Sequence, residues 1–284
     1  MSNFPTTLSL SFRQALEISA TQKCPLGTRG VAPDGRIFRY ALNGAVALVA
    51  GLPVTPAAQG ELACINTSHA MQLVAGTTIR TTQNVFKIGG SYDDAGLTAN
   101  AYAEGFLLVG STWDVGAPMR LKIKSHTAQT SNTSAGSCAT DDHAQFTLED
   151  GVFPTTCINT SMGFGLEYNP YSGTLVAPTN STIKLPVIGV PIRAVDASYY
   201  YWCQTWGDCM VRFAEVCTSG LTLGRKVIMS ADVNTTGVYC VASSNYVSAN
   251  DTGDVSDAAF YTIGLIQSPA PAGGYGVVNL RISP

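Results

Sequence analysis

Apolar positions in this chain fall into short runs broken by Gly, Pro, Asn and Asp. Only Ser11–Ile18 carries a helical pattern, one or two turns capped by Ser11. Nothing else sustains a 3.6-residue period, so the pattern predicts strands. Arg36–Leu42 follows a Pro33-Asp34-Gly35 turn, and Ala45–Ala50 follows Asn43-Gly44, a two-residue hairpin signal. Strand-length runs follow at Gln72–Val74 and Thr77–Thr82. Glu104–Val109 and Met119–Ser125 read as a hairpin around residues 110–118. Ala144–Leu148 and Gly163–Tyr168 come next. The last third offers Tyr199–Thr205, Met210–Val216, Lys226–Met229, Val238–Ala242, Tyr261–Ile266 and Val277–Ile282. Turn signals recur about every 8–15 residues. The expected class is all-β, as short-stranded β-barrel or β-sandwich domains with an extended N-terminal arm.

That arm is read as residues 1–30. A proline-marked, extended stretch near Asn180–Ala194 shifts the composition. It divides the remainder into a β domain over 31–185 and a β-barrel-like domain over 186–284, unless the two make one composite domain.

Composition changes the picture in one respect. Of 284 residues 45% are hydrophobic, but only 12% are charged, with a formal net charge of −3. About 25% charged is usual. The chain has no electrostatic footprint for coating nucleic acid, is too apolar to be disordered, and offers no unbroken apolar run of transmembrane length. A surface covered by Ser, Thr, Asn, Gly and Ala lacks charge repulsion and suits association, since interface cores are depleted in Lys, Glu and Asp. The opening Met1-Ser2-Asn3-Phe4-Pro5 has no basic stretch followed by an apolar one, so no secretory leader is expected there.

The eight cysteines are Cys24, Cys64, Cys138, Cys157, Cys203, Cys209, Cys217 and Cys240. No C-x-x-C pair is present, and the spacings suit neither a zinc ribbon nor a redox motif. Free buried thiols are the leading reading; if a disulfide forms, Cys203–Cys209 is the best-placed pair, flanking a Gln204-Thr205-Trp206-Gly207-Asp208 turn. Sequons stand at Asn66, Asn132, Asn159, Asn180, Asn234 and Asn250 and are read as chance in an Asn-, Ser- and Thr-rich chain. Cys64–Ser68 recurs as Cys157–Ser161, a short internal echo.

Candidate chemistry is thin. The histidines are His69, His126 and His143. His143 beside Asp141-Asp142 is readable as a tuned base or ligand, but a solvated loop explains it as well. The adjacent pairs Asp93-Asp94 and Asp141-Asp142 point to opposite faces if extended. Asp251, Asp254 and Asp257 fall short of a calcium-loop pattern. No phosphate loop, nucleophile elbow or zinc-protease motif occurs. The chain is read as a non-enzyme, with no catalytic residue, cofactor or metal. Two groups remain as interface candidates. Arg120, Lys122 and Lys124 alternate on one strand face, either as a basic stripe for an acidic partner or as a solvated face. Tyr199, Tyr200, Tyr201 and Trp202 with Trp206 form either an interface or sugar-stacking cluster, or a strand packed on both sides.

Several blocks together carry a resemblance. Gly35–Gly51 resembles a G-R-x-F-R-Y-x-x-N-G-x-x-A-L-x-A-G opening found in virion proteins of tailed phages. Ala99–Leu107, Met119–His126, Asn169-Pro170-Tyr171, Gly189-Val190-Pro191 and Tyr199–Cys209 match further blocks in the same order. Phe260–Ile282 resembles the closing hairpin of head decoration, or cement, proteins. The likeness spans roughly residues 33–284. The extra cysteines and the run Ile263-Gly264-Leu265-Ile266-Gln267 in the closing motif depart from it.

The resemblance implies a virion structural protein that binds and stabilises the outside of a capsid shell. It implies the major capsid protein and copies of itself as partners, commonly as a homotrimer, with no nucleic acid and no membrane. It also implies a place on the capsid exterior after synthesis in the bacterial host cytoplasm, and an arm that orders on docking. A shell- or filament-forming major structural protein and a fibre or receptor-binding module remain the alternatives.

Overall fold

The computed structural model describes residues 7–57, 72–73, 84–89, 97–111, 119–128, 144–149, 162–177, 186–213, 223–229, 238–240, 262–271 and 273–283. It is all-β apart from a single helical turn among those residues. The chain forms two compact units. One comprises Met1–Phe4 and Gln59–Asn169, the other Pro5–Ala58 and Pro170–Pro284. The boundary expected near residue 186 therefore lies inside the second unit.

The second unit begins with β1 (Thr7–Ser9), α1 (Phe12–Ala15), β2 (Ile18–Ser19), β3 (Arg29–Val31), β4 (Ile37–Leu42) and β5 (Val54–Thr55). Ser11 caps α1 as its sequence position suggests. Its Oγ accepts from the Gln14 N–H at 3.2 Å, while the Ser11 N–H donates to Gln14 Oε1 at 2.8 Å, a reciprocal capping box. The free arm expected over residues 1–30 is not what residues 7–30 form. β1 pairs in parallel with β3, and Leu10, Ala15, Cys24 and Leu26 are buried against Phe38, Tyr40 and Trp202. Burial of these apolar side chains ties the segment down, each contributing roughly 1.5–3 kcal/mol for the larger ones.

The strand expected at Ala45–Ala50 is also absent. Asn43 is buried, and its Nδ2 donates to the carbonyls of Val46 and Asp196, both at 2.9 Å, which holds residues 44–50 as a loop. Leu48 turns inward while Val46 and Val49 face out. The apolar run has the length of a strand, but among the described residues its only ladder contact is a bridge from Leu48 to Val195.

The first unit contributes β6 (Gln72–Leu73), β7 (Val85–Gly89), β8 (Phe106–Ser111), β9 (Met119–His126), β10 (Ala144–Leu148) and β11 (Met162–Glu167). They form one antiparallel sheet in the order β11-β8-β9-β10-β7-β6. The expected β8–β9 hairpin pairs Phe106 with Lys122 and Val109 with Met119. Alternation in β9 and β10 sends Leu121, Ile123, Ala144, Phe146 and Leu148 into a core shared with Leu107, Val109 and Leu166. The run expected at Thr77–Thr82 lies outside the described residues.

Returning to the second unit, the chain adds β12 (Leu175–Val176), β13 (Val190–Pro191), β14 (Tyr200–Arg212), β15 (Lys226–Met229), β16 (Val238–Cys240), β17 (Thr262–Ser268) and β18 (Tyr275–Arg281). Ten strands make one sheet along β1-β3-β4-β14-β18-β17-β15-β16, with β2 and β13 also on β14; β12 pairs with β5. The expected break between Thr205 and Met210 is instead an irregularity inside a single 13-residue strand. Gly207 takes φ +85°, and Gln204 Nε2 donates to the carbonyls of Trp206, Gly207 and Asp208 at 3.1, 3.2 and 2.9 Å. The Gly-Asp pair that reads as a turn is thus bridged by a buried amide, and the strand bends and continues.

Candidate functional site

The aromatic run lies at the start of β14, where alternation splits it between two cores. Tyr200 and Trp202 face Tyr40: Tyr200 stacks at 5.8 Å between ring centroids, and Trp202 sits tilted at 5.0 Å. Gly30 makes this possible, because a Cβ there would stand 2.9 Å from the Trp202 ring. Tyr201 and Cys203 face the opposite cluster of Ala41, Leu48, Val54, Ile188 and Val195. Tyr201 is buried, and its hydroxyl meets Thr174 Oγ1 at 2.8 Å. Burial, with Cys203 nearby, pushes its phenol well above the ordinary range. Tyr201 and Trp202 are therefore core of the unit itself, the two-sided strand among the readings of this run. Tyr199, Tyr200 and Trp206 are half-buried.

Cys203 and Cys209 are free and buried. They stand six residues apart on β14, roughly 20 Å at ~3.3 Å per extended residue, far beyond disulfide reach. The Cys203–Cys209 pairing is thus overturned. Burial pushes both thiols up to about 12. Cys24 is buried too and forms no disulfide.

The basic positions lie on β9 as alternation requires, with Leu121 and Ile123 turned to the core. Nearby chain supplies counter-charges. Arg120 Nε reaches Glu167 at 2.8 Å, and its guanidinium lies 3.4 Å from the centroid of the Phe106 ring. Lys122 Nζ reaches Glu149 at 2.9 Å. Lys124 is exposed. The stripe is in large part a paired surface, with pairs of this exposure worth about 0–1 kcal/mol each.

His126 ends the same strand as a satisfied core histidine. It is 4% exposed. Nε2 accepts from the Tyr102 N–H at 3.0 Å, which leaves Nδ1 to donate to the Thr127 carbonyl at 2.9 Å. Its ring stacks on Phe146 at 4.9 Å. Desolvation by burial lowers its pKa, partly opposed by the Thr127 hydrogen bond.

The feature not foreseen from the sequence is a groove of about 540 Å³ in the second unit. Phe12, Ala15 and Leu16 form one wall, Ala50 and Gly51 another, and Met210, Tyr275 and Val277 the sheet side. Four of its large apolar side chains stand open: Phe12 at 50%, Leu16 at 44%, Met210 at 53% and Tyr275 at 44% exposure. Contiguous apolar exposure of this kind marks interaction surfaces more than scattered single residues do. The sequence signal is the out-facing Phe12 and Leu16 on a capped turn, but the residues that complete the patch are roughly two hundred positions away in the chain.

Among the described residues no group of three or more His, Cys, Asp or Glu is arranged to hold a metal ion. Nor is any helix among them long and apolar enough to cross a membrane. His69, His143, Asp93-Asp94, Asp141-Asp142, the Asp251, Asp254 and Asp257 loop, the six sequons and the Cys64/Cys157 echo lie outside the described residues. Comparison with known protein families, curated proteins and solved structures finds no match.

Proposed function

We propose that this chain is a structural protein of a tailed-phage virion, a head decoration or cement protein that binds the outside of the capsid shell and acts by binding, not catalysis. The ordered string of sequence blocks from Gly35 to Ile282 carries the reading. Two structural facts support it. The blocks are framework: Gly35–Gly51 builds β4 and the Asn43-pinned loop, and Tyr199–Cys209 builds the strand on which β2, β4, β13 and β18 converge. The surface is sparsely charged and opens an apolar groove, as an association surface does. The shell-forming alternative calls for a long spine helix, and among the described residues the helix is one turn, Phe12–Ala15.

Cryo-electron microscopy of the assembly containing this chain tests the proposal. Density for the chain outside a separately formed shell is expected, with the major capsid protein and further copies of this chain beneath and beside it. A shell or filament built from the chain itself, or density at a fibre tip, would overturn the reading.

A further inference from the structure

Residues 98–105, between Leu97 and β8, form a turn that is fastened to the sheet chiefly through one residue. Within the turn the Ala101 N–H donates to the Thr98 carbonyl at 3.2 Å and the Ala103 N–H to the Asn100 carbonyl at 3.0 Å. The bonds outward gather on His126, the last residue of β9. The Asn100 N–H donates to the His126 carbonyl at 3.1 Å, and Asn100 Oδ1 accepts from the His126 N–H at 2.9 Å. The Tyr102 N–H donates to Nε2 of the ring at 3.0 Å. At the far end the Glu104 N–H reaches the Ile123 carbonyl at 2.9 Å. Two non-glycine residues of the turn stand at positive φ, Asn100 at 59° and Glu104 at 61°. Asn tolerates that conformation and Glu does so poorly, so the closed turn holds backbone strain that its anchoring bonds offset.

The surroundings of the ring admit one protonation state. Nδ1 faces the Thr127 carbonyl, an acceptor, at 2.9 Å and so carries the proton. Nε2 faces a donor and must stay bare. A second ring proton would point at the Tyr102 N–H and break that bond. Among the described residues, the ring is faced by Phe146 at 4.9 Å and by Tyr102 at 6.1 Å, with Tyr168 stacked on Tyr102 at 4.1 Å. The charged positions on the elements around it are Glu104 on the turn, Lys122 and Lys124 on β9, Glu149 after β10 and Lys87 on β7, in register with Gln145. Lys122 pairs with Glu149, and among the described residues no carboxylate makes an ion pair with His126. An imidazolium buried there would lack a counter-charge, which is costly.

We infer that residues 98–104 are a pH-sensitive clasp: protonation of His126 at Nε2 breaks its bond to the Tyr102 N–H, and the turn swings open while β8, β9 and β10 stay paired. The strands can stay, because their ladders, from Phe106–Lys122 to Val109–Met119 and from Phe146–His126 to Leu148–Ile123, do not use the turn. Opening relieves the positive-φ strain and lets the imidazolium reach water. It also presents the Tyr102 ring, buried at neutral pH, as an aromatic surface found only in acid.

Hydrogen exchange of the full-length protein, read by NMR at pH 7 and pH 5, tests this. Leu148 and Glu149, whose amides donate to the Asn84 and Lys122 carbonyls, report on the sheet. Corrected for the intrinsic pH dependence of exchange, protection of the Tyr102 amide is expected to fall at least about fivefold between pH 7 and 5. At pH 5 it should lie at least about tenfold below that of Leu148 and Glu149, and it should not change with urea up to about 1 M, the mark of a local opening. His126→Gln, whose amide oxygen can accept from Tyr102 but cannot titrate, should lose the pH-dependent fall. Three results would overturn the inference: unchanged Tyr102 protection between pH 7 and 5, a wild-type fall in His126→Gln, or exchange of Tyr102, Leu148 and Glu149 at one level of protection with the same urea dependence. The last is read in the wild type alone, so the test stands even if the variant does not fold.

Discussion

Lowering the pH should loosen the first unit through His126, above the range in which most carboxylates titrate. The perturbation is acidification from pH 7 to 5, compared between the wild type and His126→Gln. In the fold, Nε2 is held as an acceptor by the Tyr102 N–H, and the ring is buried against Phe146. Its folded pKa is therefore below the ordinary 6.5, with desolvation the main cause. As the pH drops through 6.5, the unfolded chain takes up a proton that the folded chain refuses. The unfolded state then binds more protons, and stability falls as pH falls. The slope approaches about 1.4 kcal/mol per pH unit and flattens once the folded pKa is passed. Between pH 7 and 5 the loss reaches at most about 2 kcal/mol. The assay is urea unfolding at each pH, with hydrogen exchange followed in β8, β9 and β10. His126→Gln should be less stable at pH 7, by about 1–3 kcal/mol for a disturbed buried hydrogen-bond pair. It should lack the excess pH dependence. Parallel profiles for the two proteins, or a His126 ring resonance that titrates near 6.5 in the native state, would refute the reasoning.

Native Cys203 and Cys209 should resist a thiol reagent at pH 8 and react on unfolding, since burial pushes both up to about 12; mass spectrometry should find no bond between them. Gly264→Ala should cost more than about 2 kcal/mol or block folding, because the new Cβ would collide with the Asn279 backbone carbonyl, which cannot move aside without breaking the β17–β18 pairing. Gly35→Ala, where φ is +84° but the space is open, should cost only about 1 kcal/mol, so comparative denaturation separates a clash from backbone strain. A double-mutant cycle on Arg120→Ala and Glu167→Ala should give a coupling of about 0.5 kcal/mol that shrinks in high salt; a coupling above about 2 kcal/mol would contradict the exposed geometry.

The all-β class was legible because local alternation sets which side of a strand meets a core. Thus β9 and β10 were readable from Leu121, Ile123, Ala144, Phe146 and Leu148, and α1 from its Ser11 cap. These features depend on neighbours in the chain. Where the outcome depended on distant partners, the sequence was silent or misleading. Ala45–Ala50 is an apolar run of strand length after Asn43-Gly44, yet Asn43 and Asp196, far apart in sequence, hold it as a loop. Gly207-Asp208 reads as a turn until Gln204 is seen bridging the carbonyls around it. Residues 7–30 read as an arm because their partners, Phe38, Tyr40 and Trp202, arrive later in the chain. The groove is the extreme case: its walls come from α1, the loop at Gly51 and the sheet at Met210 and Tyr275. By itself the sequence determined the periodicity, the sparse charge and the capped turn. Only the tertiary structure decided which segments meet, because a groove wall or a strand pair exists only where distant parts of the chain are brought together.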